Sequence, residues 1–138
     1  MDMDKKQDVQ KIIDYLHDFA EVMLNEGKEF YPFGAAIDNE GELIPVGYED
    51  DETDKPKSLN VIEVLTKHFQ NDFQDNKIRA YGLTYDVQIK YKDQVITSDA
   101  VLIDIVLREA IDIPIYYFTY SFNDQNKVVF GESFGRKR

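Results

Sequence analysis

The sequence contains no cysteine, and this single absence removes several kinds of chemistry together. Disulfide bonds, thiolate metal sites, iron–sulfur clusters and cysteine nucleophiles all require the missing thiol. The chain also has no apolar run near the roughly 20 residues of a membrane span, and its first residues lack the pattern of a signal peptide. We therefore expect a cytoplasmic protein that folds by packing alone and does not contact a membrane.

Motifs for nucleotide and metal binding are missing as well. The chain has no glycine-rich phosphate loop and no S-x-x-K. Its two histidines, His17 and His68, lie on separate helices, and neither has a second His or carboxylate arranged as in H-E-x-x-H. Asp14 and Glu21 lie at helical neighbour spacing from His17, which is more typical of local ion pairs than of a metal site. The sequence therefore predicts no metal and no cofactor, assigns no catalytic residue and does not favour an enzyme.

Positive charge is scarce in the first part of the chain. Residues 1–56 hold 16 acidic and 5 basic side chains, whereas residues 57–138 hold 11 of each, so the net charge is −11. A negative field repels phosphate backbones and attracts cationic proteins. We expect no nucleic-acid partner and favour a protein partner with basic character.

What is present is the composition of one globular domain. The 138 residues are 43% hydrophobic and 31% charged, which predicts a single domain over residues 1–138. Helical periodicity from Asp8 to a stop at Gly27, and again after Ser58, predicts two amphipathic helices. The turn at residues 38–41 predicts a hairpin whose second strand, with Pro45, lies at a sheet edge or carries a bulge.

Strand patterns fill the remainder of the chain. Residues 79–91 alternate between apolar and polar, residues 100–107 are almost continuously apolar, and residues 115–122 and 128–130 flank a turn. The expected class is α+β, with an antiparallel sheet of five to six strands, two helices on one face and the order α-β-β-α-β-β-β-β. The other face would be open and would carry Thr84, Asp86 and Gln88.

An acidic run is the strongest compositional feature. Five carboxylates fall within six residues, and they are Glu49, Asp50, Asp51, Glu52 and Asp54. Such a run repels itself unless a cation or basic partner neutralises it, which makes it a candidate partner-binding segment. The alternative is that it stabilises the positive N-terminal end of the following helix.

Two further groups of residues are candidates. Asp86 and Asp104 interrupt strand patterns, and with Arg108 they suggest either a pocket for a small molecule or a structural ion pair. Residues 116–122 place aromatic rings on both faces of one strand. Tyr117 is expected on the face left uncovered, where a second copy of the chain would bury it in a homodimer. The alternative is that all of these rings belong to the core of the single chain.

Three segments resemble those of a family of small bacterial α+β proteins of unknown function: Glu29-Phe30-Tyr31-Pro32-Phe33-Gly34-Ala35, Ala80-Tyr81-Gly82-Leu83-Thr84-Tyr85-Asp86-Val87 and Val129-Phe130-Gly131-Glu132. The resemblance spans most of the chain and implies no activity. Three functions remain open: a non-enzymatic acidic module that masks a basic partner, as immunity or inhibitor proteins do; a self-associating structural subunit; and a small-molecule binder or enzyme. Charge asymmetry favours the first.

Overall fold

The computed structural model describes residues 3–47, 58–90, 97–109 and 112–138, and it confirms the α+β class and the order of elements. The elements are α1 (Met3–Gly27), β1 (Phe33–Asp38), β2 (Leu43–Val46), α2 (Ser58–Gln74), β3 (Ile78–Ile89), β4 (Ser98–Leu107), β5 (Ile115–Phe122) and β6 (Val128–Arg136). The last strand is longer than its apolar pattern indicated, because it continues beyond Phe130. Neither described helix is long and apolar enough to span a bilayer.

The six strands form one antiparallel sheet in the order β2-β1-β3-β4-β5-β6. β2 lies at one edge, as Pro45 predicted, since proline offers no N–H to a further strand. β4 is internal, and most of its side chains are buried. The nearly continuous apolar run of residues 100–107 is therefore that of a strand inside the sheet.

The two helices lie on opposite faces of the sheet, so the expectation that they share one face is wrong. A Cβ added to Gly82 would lie 2.5 Å from Ile12 of α1, whereas one added to Gly34 would lie 2.7 Å from the Phe69 ring of α2. Gly34 pairs with Leu83, the residue after Gly82, so the two glycines point to opposite sides. α1 and α2 thus enclose the β1–β3 pair.

Each helix has its own core cluster. α1 packs with alternate residues of β1 and β3 and with β4, through a cluster that includes Ile12, Leu16, Ala35, Ile103 and Ile105. The opposite cluster joins α2 to the other residues of β1 and β3 and includes Val61, Leu65, Phe69, Ala36 and Tyr81. Thr84 is fully buried. The sheet face predicted to be open is therefore covered by α1 at this position.

An ion pair fastens the N-terminal part of α1 to β3. The guanidinium of Arg79 donates to both carboxylate oxygens of Asp8, from Nε at 2.8 Å and from Nη2 at 2.9 Å. The Asp8 side chain is only 5% exposed. A two-point contact of this kind fixes the helix in register along the strand, because both groups are held in one orientation.

We predict that Gly34→Ala destabilises the fold. The added methyl group would meet the Gly82 carbonyl oxygen at 2.5 Å and the Phe69 ring at 2.7 Å, so the strand or α2 must shift. The expected loss is about 1–3 kcal/mol in the free energy of unfolding, measured by urea denaturation. The matched control is Gly27→Ala, where nothing lies within 4 Å of the new atom. Equal stability of the two variants would contradict the close packing of α2.

Candidate functional site

The three residues suggested as a pocket do not line one cavity. In the β3–β4 register Asp86 pairs with Val101, and Asp104 pairs with Leu83. Because side chains alternate along a strand, Asp86 lies on the α1 side of the sheet and Asp104 on the α2 side. Arg108 shares the side of Asp104. The sheet itself separates the two carboxylates, which linear sequence spacing did not reveal.

Asp104 and Arg108 have partners that account for them structurally. Asp104 forms an ion pair with Arg138 of the C-terminal tail. The Arg108 guanidinium lies 4.0 Å from the centroid of the Phe73 ring and donates to the carbonyl oxygens of Phe73 and Ile78. A cation over a ring with two hydrogen bonds anchors the end of α2 to the sheet.

Asp86 instead accepts a hydrogen bond from the Tyr120 hydroxyl at 2.8 Å. Although the Asp86 residue is exposed, partial burial of its carboxyl group raises its pKa, and the hydrogen bond from Tyr120 opposes that shift. Burial together with the Asp86 carboxylate raises the pKa of Tyr120 as well. The pair joins β3 to β5 across β4.

Tyr117 lies on the α2 side of the sheet, in a row with Tyr85, Leu102 and Phe134. Its ring stacks on Phe134 with centroids 5.3 Å apart, and the Arg136 guanidinium lies 5.1 Å from the Tyr117 centroid. α2 packs mainly on β1 and β3, so Tyr117 of β5 and Phe134 of β6 lie beyond its main contacts. Tyr117 is half-buried, so it is available in part to a partner.

The acidic candidates Glu49, Asp50, Asp51, Glu52 and Asp54 lie outside the described residues. The described chain stops at Gly47, on the α1 side of the sheet edge, and resumes at Ser58. Their role as a partner-binding segment therefore stays a prediction.

A groove that sequence reasoning missed lies between α1 and the β2 edge. We call it the aromatic groove; its volume is about 350 Å³, and it is lined by Tyr15, Phe19, Met23, Tyr31, Pro32, Phe33, Pro45, Val46 and Gly47. Tyr15, Phe19 and Met23 recur every four residues and form one stripe along α1. Pro45 pairs with Ala35 and so shares the α1 side of the sheet.

Ring contacts hold the groove in shape while leaving part of it open. Phe19 packs edge-on against Phe33 at 5.4 Å and stacks with Tyr15 at 5.8 Å. Nevertheless Phe19 is 44% exposed and Tyr31 is 37% exposed. Large rings that are ordered by neighbours and still exposed are well suited to bind an apolar group, because little side-chain entropy is lost on binding.

The border of the groove is acidic. Asp18, Val22 and Glu26 stand three residues after the members of the α1 stripe, so they flank it on the outer side. Glu29 precedes Tyr31 and is exposed. Lys28 points elsewhere, since its ammonium donates to the carbonyl oxygen of Asn126.

A larger cavity, of about 450 Å³, lies beside the C-terminal tail and is lined by Asp112, Ile113, Pro114, Lys137 and Arg138. The Arg138 guanidinium is already engaged there: it donates to the carbonyl oxygens of Ile113 at 3.0 Å and Ile105 at 2.6 Å and pairs with Asp104. Because Arg138 already holds the tail to the sheet, we place the candidate site at the aromatic groove.

The residues of the groove that lie on α1 belong to the apolar pattern that predicts the core-facing side of this helix. Phe19 and Met23 belong to the same apolar periodicity as Ile12 and Leu16, which are fully buried. The apolar arc of α1 is therefore wider than the strip that contacts the sheet. Periodicity alone does not show which part of a wide arc is covered.

Neither a metal site nor a known relative assigns a function. Within the described ranges no three metal-ligating side chains cluster together. His17 packs between Phe118 and Phe130, with ring centroids 4.9 and 4.2 Å away. Comparison with family models, with curated proteins and with solved structures gives no match for this chain. The resemblance in motifs to small bacterial proteins thus stays a prediction.

We predict a pH dependence from Asp86. Its pKa is raised in the folded state, so between about pH 7 and pH 4 the folded state binds more protons than the unfolded state and gains stability as the pH falls. Asp86→Asn removes this contribution, so the free energy of unfolding of the variant should increase less as the pH falls. Tyr120→Phe removes the hydrogen bond that opposes the pKa shift, so its free energy of unfolding should increase more as the pH falls. Urea denaturation across this pH range measures both slopes. An unchanged slope in Asp86→Asn would contradict the burial of this carboxyl group.

Proposed function

We propose that this protein is a non-enzymatic binding module that masks a basic protein partner, in the manner of immunity or inhibitor proteins, and that the aromatic groove is its binding site. The observation that carries the proposal is the exposure of Phe19 and Tyr31 in an ordered, concave cluster of rings. Aromatic anchors in such pockets supply much of the binding energy at protein interfaces.

The charge around the groove supports a cationic partner. From Asp14 to Gly27, α1 carries four carboxylates and no lysine or arginine. Gly47, at the other wall of the groove, is followed in the chain by Tyr48 and then by the acidic run that begins at Glu49. A basic segment would meet carboxylates on the helix side, which steers association and selects against acidic competitors.

The proposal includes a cytoplasmic location, as expected from the cysteine-free sequence. A partner in that compartment with an exposed basic and apolar segment fits the groove in both charge and chemistry. The net charge of −11 would then act at long range on the approach of the partner.

We predict that peptides selected from a random display library on the full-length protein carry net positive charge and large apolar anchors. Phe19→Ser should weaken their binding about tenfold or more, because it removes an anchor contact worth over 1 kcal/mol. The matched control is Val64→Ser, which removes an apolar side chain that is 49% exposed on α2. Isothermal titration or fluorescence anisotropy measures the affinities. Selection of neutral or acidic peptides, or equal effects of the two substitutions, would refute the proposed function.

The acidic border is tested separately by neutralisation. Two variants test it. One is Asp18→Asn with Glu26→Gln, and the other replaces the acids of the 49–54 run by Asn and Gln. Each should slow association and reduce its salt dependence while the fold is retained. The 49–54 replacement tests the acidic run as a binding segment. Unchanged association at low salt would remove that segment from the interface.

A second candidate function is self-association, and the Tyr117–Phe134 stack favours it. This stack lies on the part of the sheet that α2 does not cover, and it carries Arg136, a residue type that is enriched at interfaces. We predict a homodimer at micromolar concentration, which Tyr117→Lys shifts towards the monomer. Sedimentation equilibrium that gives the 16.1 kDa monomer mass at every micromolar concentration would reject the dimer.

A further inference from the structure

We infer that the segment bound in the aromatic groove is a basic amphipathic helix and not an added β-strand. The inference rests on the proposed function and specifies the partner's conformation. A groove beside a sheet edge can take a peptide in two ways: by extending the sheet through backbone hydrogen bonds, or by packing a helix on apolar side chains. Strand addition requires free N–H and C=O groups along the β2 edge, whereas a packed helix does not.

The alternation of hydrogen-bonded and non-hydrogen-bonded pairs in the β1–β2 hairpin shows which backbone groups of β2 face outwards. The Asp38 N–H donates to the Glu42 carbonyl oxygen at 3.0 Å, so these two residues form a hydrogen-bonded pair. Bonded and non-bonded pairs alternate along an antiparallel ladder, which makes Ile44 a bonded position and Pro45 a non-bonded one. The backbone of Pro45 therefore faces the open edge, where proline has no N–H to donate.

An incoming strand would consequently find a poor template. β2 spans four residues, and Pro45 removes a donor from the middle of its open edge beside the groove. Proline at this position is a known way to block edge-to-edge pairing. A carbonyl group of the incoming strand that faces Pro45 would find no N–H donor there. The loss of this hydrogen bond disfavours strand addition.

The helix wall of the groove favours a helical occupant. Tyr15, Phe19 and Met23 form a straight apolar ridge about 12 Å long, since a helix rises 1.5 Å per residue. A partner helix with apolar residues at positions i, i+4 and i+7 packs its own ridge beside this one. Lysine or arginine next to those anchors would then face Asp18 and Glu26 on the outer border.

A second copy of the chain does not meet these requirements. α2 exposes Leu59 and Val64, but its charged residues include Lys67 together with Glu63 and Asp72. Each copy carries a net charge of −11, so a second copy would add negative charge beside an acidic border. Charge complementarity therefore selects a separate, basic partner.

The experiment uses the peptides obtained by selection on the full-length protein. We expect their apolar anchors to be spaced by three or four residues, and the bound peptide to gain helical circular dichroism, observed by subtracting the spectrum of the protein alone. A central proline in such a peptide should weaken binding about 100-fold, because proline removes a backbone hydrogen bond of the helix and clashes with the preceding turn.

The matched protein variant is Pro45→Val, which restores an outward N–H and keeps an apolar side chain. Affinity for the selected peptides should not increase, because a helical occupant makes no backbone hydrogen bond to the β2 edge. The opposite result would be basic peptides that have anchors at alternate residues, show no helical signal and bind Pro45→Val about tenfold more tightly. That result would overturn the helical inference and leave the proposed function standing. Failure to select any basic peptide would overturn both.

Discussion

The close approach of both helices to the β1–β3 pair is the constraint on which the structure depends. Gly82 leaves space for Ile12 of α1, and Gly34 leaves space for the Phe69 ring of α2 on the other side. Side chains at these two positions would force the helices away from the sheet, and the two core clusters would separate from it. The Asp8–Arg79 ion pair then fixes α1 along the strand direction.

The position of α1 determines what stays exposed. Its inner strip is used by the sheet, and the adjacent stripe of Tyr15, Phe19 and Met23 extends towards the β2 edge. Because β2 is short, that stripe is not covered completely, and a groove with exposed rings results. The feature that closes the sheet edge to strand addition, Pro45, is also part of the groove wall.

The charged residues divide into two groups with different uses. Asp8, Arg79, Asp104, Arg108 and Arg138 pair with one another or with carbonyl groups and thereby hold helices and tail to the sheet. The carboxylates Asp18, Glu26 and Glu29 lie at the surface near the aromatic groove. The first group stabilises the fold, and the second group provides the charge on which the proposed recognition of a basic partner rests.

The sequence by itself determined the two helices, the order of helices and strands along the chain, the edge position of β2 and the α+β fold class. These features depend on local periodicity and on proline chemistry. It also contained a hint that helices cover both faces, since residues 33–37 are apolar at every position without alternation. Only the tertiary structure decided that the helices lie on opposite faces, that Asp86 and Asp104 are separated by the sheet, and that Phe19 is exposed beside buried Leu16. These facts depend on which strands become neighbours and how far a helix reaches across them, and residue spacing along the chain does not encode that distance.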